Sequence, residues 1–375
     1  MKTRVLVLGA GFGGLELSTM LAEELGDQVE VTLIDRNDSF AFGYSKLDMM
    51  FRGVSLESVS LPYSKVVKPG VTLVREEIRS IDAESRSVET DSGTLEGDVM
   101  VIALGADYDL EATPGLAEHG TEFYSFAGAR DAAGPVASFS SGHAVVGVCG
   151  APFKCPPAPS ECALMLSDEL TRRGVRGDCE ITLTMPLGSP VPPSPETSAA
   201  LMSEFEARGI TFRGGLRPVR LEPGLVIYED GTELPFDLFL GIPKHRAPDV
   251  VIDSGITEHG YVPVEPATLK TKFEGVYAVG DVANAEVPKA GVFAEGAARV
   301  VAKRVIAQVT GGDAPPPFDG KASCYIEFGE ERIARVDIDF LSGPERTGEF
   351  NAPSQELRQE KSDFGSSRRA RWFGL

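Results

Sequence analysis

A continuous apolar run, RVLVL at 4–8, predicts a buried strand. It gives way at Gly9 to GAGFGG and then to ELSTMLAEEL, whose apolar residues recur at helical spacing. VEVTLID follows as a second strand and ends in Asp35. GDVMVIALGA, 97–106, predicts another buried strand that closes on a small-residue turn at Gly105. The alternation then repeats in GHAVVGVCG, a helix from about 160 to 173, CEITLTMP, and a helix from about 196 to 208. GVYAVGDVANA, 275–285, predicts a strand leading through Gly280 to Asp281. An amphipathic helix comes next, opened by Pro288 and Lys289. DAPPPFDG, 313–320, is a proline-rich passage into the strand patterns IEFGEE and ARVDIDF.

Three glycines in the first turn occupy G-x-G-x-x-G positions: Gly9, Gly11 and Gly14. The first permits the tight turn, the second lets the backbone approach a pyrophosphate, and the third brings helix and strand together. Asp35 stands 21 residues after Gly14, where an acid accepts the ribose hydroxyls of an adenine dinucleotide. Asp281, at a strand end ahead of a helix N-terminus, suits the ribityl and flavin side of such a cofactor, because the helix end presents unpaired N–H groups and partial positive charge. The predicted fold class is α/β, with two Rossmann-like FAD/NAD(P)-binding-type domains, the second inserted in the first, plus a C-terminal α+β segment. The expected divisions are 1–108 with 250–312, then 109–249, then 313–375.

A formal net charge of −20 excludes nucleic acid as a partner, since phosphate binding needs clustered Lys and Arg. No apolar run reaches the ~18 residues of a membrane span, and MKTRVLVL enters its strand without a secretory pattern. A cytoplasmic location is expected, with peripheral contact at the inner face of the cell membrane as its extension through the basic, aromatic end RRARWFGL. The competing expectation is that this end docks on its own fold, with its arginines paired to acids. Five cysteines, an odd number without framework spacing, fit a reducing compartment or catalysis. The four histidines lie at no ligand spacing from a cysteine, so no metal is expected.

The order of glycine motif, acid, VMVIALGA and VYAVGD resembles the flavoproteins with two dinucleotide-binding domains, over residues 1 to about 310. The resemblance implies FAD, held by Gly9, Gly11, Gly14, Asp35, Gly105, Gly280, Asp281 and Lys289. Many of these proteins bind NAD(P)H at a second glycine-rich loop. Here that place holds VCGAPFKCPPAPSE, 148–161, where Pro152, Pro156, Pro157 and Pro159 remove the donors that would cradle a pyrophosphate. This loop closely resembles the active-site loop of the sulfide:quinone oxidoreductases and of the flavoprotein subunit of flavocytochrome c sulfide dehydrogenase.

That resemblance implies a redox pair of Cys155 with Cys324, 169 residues later in KASCYIEFGE, and places Glu161 as a proton carrier. A disulfide there accepts a sulfur nucleophile at one cysteine and frees its partner as a thiolate. Lys154 or Lys289 is expected to supply the charge that favours the thiolate. For Glu161 the plainer reading is an exposed helix-start carboxylate. Two departures from the family stand out. No cysteine lies between Gly105 and Ser141, where the membrane-bound enzymes carry a third, leaving Cys149 as its substitute; none lies in NDSFAFGYSKLDMMFRG, 37–53, just after the second strand, so FAD is expected to be non-covalent. The expected partners are sulfide or a small thiol or persulfide, a quinone or cytochrome acceptor, and a second copy of the chain. The alternative functions are an NAD(P)H-dependent disulfide or quinone reductase and a non-enzymatic FAD electron-transfer or redox-sensing protein.

Overall fold

A computed structural model of the chain describes residues 2–66 and 68–375. The first sheet is parallel and five-stranded. It contains β1 (Thr3–Leu8), β2 (Val29–Ile34), β3 (Val71–Val74) and β4 (Val99–Ile102). All four residues of β4 are buried, as expected where helices cover both faces of a parallel sheet. Between β1 and β2 runs α1 (Phe12–Leu25). The turn joining β1 to α1 requires glycine twice. Gly9 has φ +103°, and a Cβ on Gly14 would lie 1.9 Å from the Gly9 carbonyl oxygen. The lack of a side chain at Gly14 is what lets α1 lie close against β1.

A second parallel sheet follows. It comprises β5 (Thr121–Glu122), β6 (Gly142–Val148), β7 (Cys179–Met185), β8 (Ile210–Gly214) and β9 (Leu238–Ile242), in the order β5-β9-β6-β7-β8. Helix α3 (Ala158–Arg172) joins β6 to β7, and α4 (Pro195–Ala207) joins β7 to β8; α2 (Ser45–Arg52) belongs to the first unit. Helix α3 starts two residues earlier than the pattern predicts, because the first helical turn tolerates Pro159. Ser194 caps α4, its hydroxyl accepting the Thr197 N–H. The chain then returns to the first sheet with β10 (Val276–Ala278), which completes the order β10-β4-β1-β2-β3. The second sheet is therefore inserted in the first.

From β10 the chain enters the 20-residue α5 (Gly291–Thr310), which packs along α1. An antiparallel sheet of β11 (Lys321–Glu327), β12 (Ile333–Asp339) and β13 (Thr347–Ser354) and a last helix, α6 (Gln355–Arg368), complete the fold. The open-sheet rule puts ligands at the carboxyl ends of parallel strands, which here are the turns after β1, β6 and β10.

The end of the chain docks on its own fold, with its arginines paired to acids, as the competing expectation has it. Trp372 and Phe373 are 0% and 3% exposed. Trp372 meets the rings of Phe12 and Phe40 edge-on and donates from Nε1 to Glu16 Oε2 at 2.8 Å. Arg371 and Arg299 pair with the same buried carboxylate, and Arg368 pairs with Glu295. A carboxylate with 1% side-chain exposure needs such donors, and the tail supplies them. Among the described residues no helix is long and apolar enough to cross a membrane.

Candidate functional site

The loop after β1 is braced from several sides. Asp35 Oδ2 accepts the Ala10 N–H at 2.8 Å, its Oδ1 accepts from Asn37, and Tyr63 Oη donates to the Ala10 carbonyl. A Cβ on Gly11 would meet nothing within 4 Å, so there is open space where a pyrophosphate needs to come close. Across the site, Asp281 Oδ1 is buried and has no hydrogen-bond partner among the described residues. A buried acceptor without a donor is costly, and the hydroxyls of a ribityl chain would satisfy it. The site residues therefore fit a flavin dinucleotide. Gly105 and Gly280 hold φ of +70° and +76° at the adjoining turns. Lys289, 6% exposed, donates from Nζ to the carbonyls of Asp281 (2.5 Å) and Ala283 (3.4 Å). Burial pulls it down to about 8, against the opposing charge of Asp281.

Cys155 sits on the crest of the loop between β6 and α3, at φ +48°. A side chain in this left-handed region carries roughly 1–3 kcal/mol of strain, so surrounding structure must hold it there. Two hydrogen bonds do so. The Cys155 N–H donates to the Lys289 carbonyl at 2.8 Å, and its own carbonyl accepts from the Ala158 N–H at 2.9 Å. The loop is thereby tied to the segment that leads into α5. Cys324 lies mid-strand in β11, half-buried, opposite Val336. Both thiols are free.

Cys155 is accessible, yet burial is the largest influence on its thiol and pushes it up. Charge on Glu161 and on Cys324 adds to this rise, and Lys46 opposes it. Cys324 is pushed up to about 12, first by burial and then by Glu161. The fold thus brings Cys155, Cys324 and Glu161 within electrostatic reach of one another, from a loop, a strand and a helix.

Glu161 is 5% exposed and accepts the Glu327 N–H through Oε1 at 2.8 Å. Burial pushes it up to about 7, with Lys361 and that N–H opposing and with Glu327 and Asp48 adding. The reading of Glu161 as an exposed helix-start carboxylate is corrected by this burial.

Lys154 is corrected as well. Its Nζ turns to the Ala106 carbonyl and to Tyr108 Oη at 3.2 Å, and burial pulls it down. Among the described lysines, the one whose charge favours the Cys155 thiolate is Lys46 on α2, which donates to the Tyr124 carbonyl. Burial pulls Lys46 down to about 8. It stands 109 residues before Cys155, and no local spacing marks it. Cys149 is 1% exposed within a separate apolar cluster with Leu221, Tyr228 and Phe239, and burial raises it to about 12. Cys162 and Cys179 are buried too.

A model of the pyridine nucleotide-disulphide oxidoreductase family matches residues 3–310. The chain is 23% identical over 372 residues to the mitochondrial sulfide:quinone oxidoreductase of Mus musculus, covering 94% of this chain and 82% of that one. It is 26% identical over 361 residues to the sulfide-quinone reductase of Aquifex aeolicus, covering 88% and 82%. The X-ray structure of the Aquifex aeolicus sulfide:quinone oxidoreductase superposes with a TM-score of 0.86 at 22% identity, covering 100% of this chain and 93% of that one, a likeness of fold. The chain belongs to the pyridine nucleotide-disulphide oxidoreductase family and is a flavin-dependent oxidoreductase that resembles the sulfide:quinone oxidoreductases.

Proposed function

We propose that the protein oxidises sulfide, or a small persulfide or thiol, through a Cys155/Cys324 redox pair, and passes the electrons by way of non-covalent FAD to a quinone. What supports this reading is that Glu161, six residues after Cys155, accepts the main-chain N–H of Glu327, three residues along β11 from Cys324, and that charge on Glu161 and on Cys324 bears on the Cys155 thiol. The relatives named for sulfide and quinone support the substrate and acceptor classes. FAD supplies a two-electron acceptor that can release electrons singly or in pairs. Gly9, Gly11, Gly14 and Asp35 would hold its adenosine and pyrophosphate, and Gly105, Gly280, Asp281 and Lys289 its flavin end.

The chain's own residues do the rest. The strained turn at Cys155 presents one sulfur of the oxidised pair to hydrosulfide. The incoming sulfur bonds to one cysteine as the Cys155–Cys324 bond breaks, and the electron pair of that bond leaves on the partner as thiolate. Lys46 stabilises negative charge at Cys155, offsetting part of the burial. Glu161 accepts the proton that the sulfur gives up. The prolines of the loop exclude nicotinamide from the same place.

Anaerobic stopped-flow mixing tests this reading. Sulfide bleaches the flavin absorbance rapidly, NADH does so slowly or not at all, and Cys155→Ser abolishes the sulfide reaction while retaining FAD. Fast bleaching by NADH with none by sulfide would overturn it.

A further inference from the structure

Lys46 is the described lysine whose charge favours the Cys155 thiolate, which leaves the charge of Lys154, the residue beside it in the chain, unexplained. Lys154 nevertheless stands with two other ammonium groups. Its Nζ donates to Tyr108 Oη at 3.2 Å, Tyr108 Oη donates to the Tyr124 carbonyl at 2.6 Å, and the same carbonyl accepts from Lys46 Nζ. Lys289 joins them through the backbone. It pairs with Lys154 as an isolated parallel bridge, and its carbonyl accepts the Cys155 N–H. His245 marks where the three charges meet. It is 3% exposed, and its ring meets those of Tyr108 and Tyr124 edge-on at 5.0 and 5.4 Å. Burial pushes it down to about 3, with Lys154, Lys46 and Lys289 adding to the fall and the Pro243 carbonyl opposing it. The ring is therefore neutral, and its Nε2 is buried without a partner among the described residues.

All three lysines donate to neutral oxygens: the carbonyls of Tyr124, Ala106, Asp281 and Ala283 and the Tyr108 hydroxyl. Among the described residues none of them has a carboxylate within 4 Å. The acids whose charge reaches them are Asp281, Glu122 and Asp107, and Glu122 is already held by the N–H groups of Tyr124 and Ser125. Burial is the largest influence on each lysine, and Lys154 repels both of the others. Like charges crowded into a partly desolvated site without a fixed counterion attract a mobile one. The chain as a whole carries a formal net charge of −20, so an anion meets repulsion over most of the surface and attraction here. We propose that Lys46, Lys154 and Lys289 form an anion-selective entry to Cys155, through which the sulfur donor arrives as a singly charged anion, hydrosulfide or the anion of a small persulfide or thiol, and not as the neutral acid. The identity of the donor rests on the sulfide-oxidation reading; the selection for negative charge does not.

The test compares iodoacetate, an anion, with iodoacetamide, which is neutral and of similar size. Both react with the same thiolate, so the ratio of their rates at Cys155 cancels the ionisation of the thiol and reports the charge met on the way in. The protein is FAD-loaded and mildly reduced, at one neutral pH, and Cys155 is followed by peptide mapping. The ratio exceeds that of free N-acetylcysteine about tenfold and falls toward it as chloride is raised to about 1 M. Lys154→Met and Lys46→Met each lower it about three- to tenfold, and Lys154→Arg keeps it. A wild-type ratio equal to that of N-acetylcysteine overturns the proposal, as does a ratio that neither Met variant moves or that Lys154→Arg lowers as far as Lys154→Met. A change in the visible flavin spectrum of Lys154→Met with the ratio unmoved overturns it too, since the charge then serves the cofactor. If sulfide fails to bleach the wild-type flavin while the ratio responds as stated, the sulfide reading falls and the anion entry stands.

Discussion

Glu161→Gln is expected to make the protein more stable in alkaline solution while disabling it. The ordinary value of this carboxyl, near 4.5, is raised in the fold to about 7. At ~1.4 kcal/mol per pH unit, ionising Glu161 in place costs about 3 kcal/mol. The sign follows from the raised value: stability is fully present below pH 4.5, declines through the window 4.5–7 as the unfolded chain gives up the proton first, and stays lost above it. Glutamine removes this cost and can still accept the Glu327 N–H, because its amide oxygen occupies the same position. With an unfolding entropy of ~2.1 cal/mol/K per residue, 3 kcal/mol corresponds to roughly 4 °C for a chain of 375 residues. The assay is thermal unfolding of the FAD-loaded wild type and variant at pH 5 and pH 8.5, with the flavin signal and far-ultraviolet dichroism followed together. The variant should gain several degrees at pH 8.5 and little at pH 5. An equal gain at both, or a loss at pH 8.5, would refute the raised, proton-holding Glu161.

Other substitutions probe the remaining parts. Lys46→Met should slow iodoacetamide alkylation of Cys155 about three- to tenfold below pH 8, where Lys46 is charged, and Lys46→Arg should restore the rate and extend it above pH 8. Gly14→Ala places a Cβ 1.9 Å from the Gly9 carbonyl oxygen and should yield protein without bound FAD, read from the ratio of visible to 280 nm absorbance. Trp372→Ala empties a fully buried site and takes one donor from Glu16, a loss of ~3–5 kcal/mol visible as a lowered melting temperature, with Trp372→Phe falling between.

How far each feature could be read from the sequence follows from the range of the forces that make it. The strand and helix at 4–25 were legible because apolar periodicity and the Gly9, Gly11, Gly14 spacing are local. Asp281 was legible for the same reason, as a strand-end acid before a helix. The Cys155 loop and Glu161 could be located because they lie six residues apart in one short stretch, yet nothing within six residues of Glu161 reveals that it is buried against β11. Cys324 was reachable only through the family resemblance, since its relation to Cys155 is made by sheet topology. Lys46, Glu327 and Lys361 could not be read at all. Their meaning depends on charges brought together across 34 to 275 residues of chain. The tail left two readings open for a physical reason: RRARWFGL has no period of its own, and its burial is decided by a carboxylate on α1, 356 residues from Trp372.

The central claim is that Cys155 and Cys324 act as one redox pair. Peptide mapping of the FAD-loaded protein after mild oxidation, with free thiols alkylated before digestion, addresses it directly. The account predicts that the peptides carrying Cys155 and Cys324 are recovered joined, by a disulfide or with extra sulfur between them. They should separate on reduction, while Cys149, Cys162 and Cys179 stay unjoined. Recovery of Cys324 as a free, alkylated peptide from protein whose flavin sulfide still reduces at full rate would contradict it.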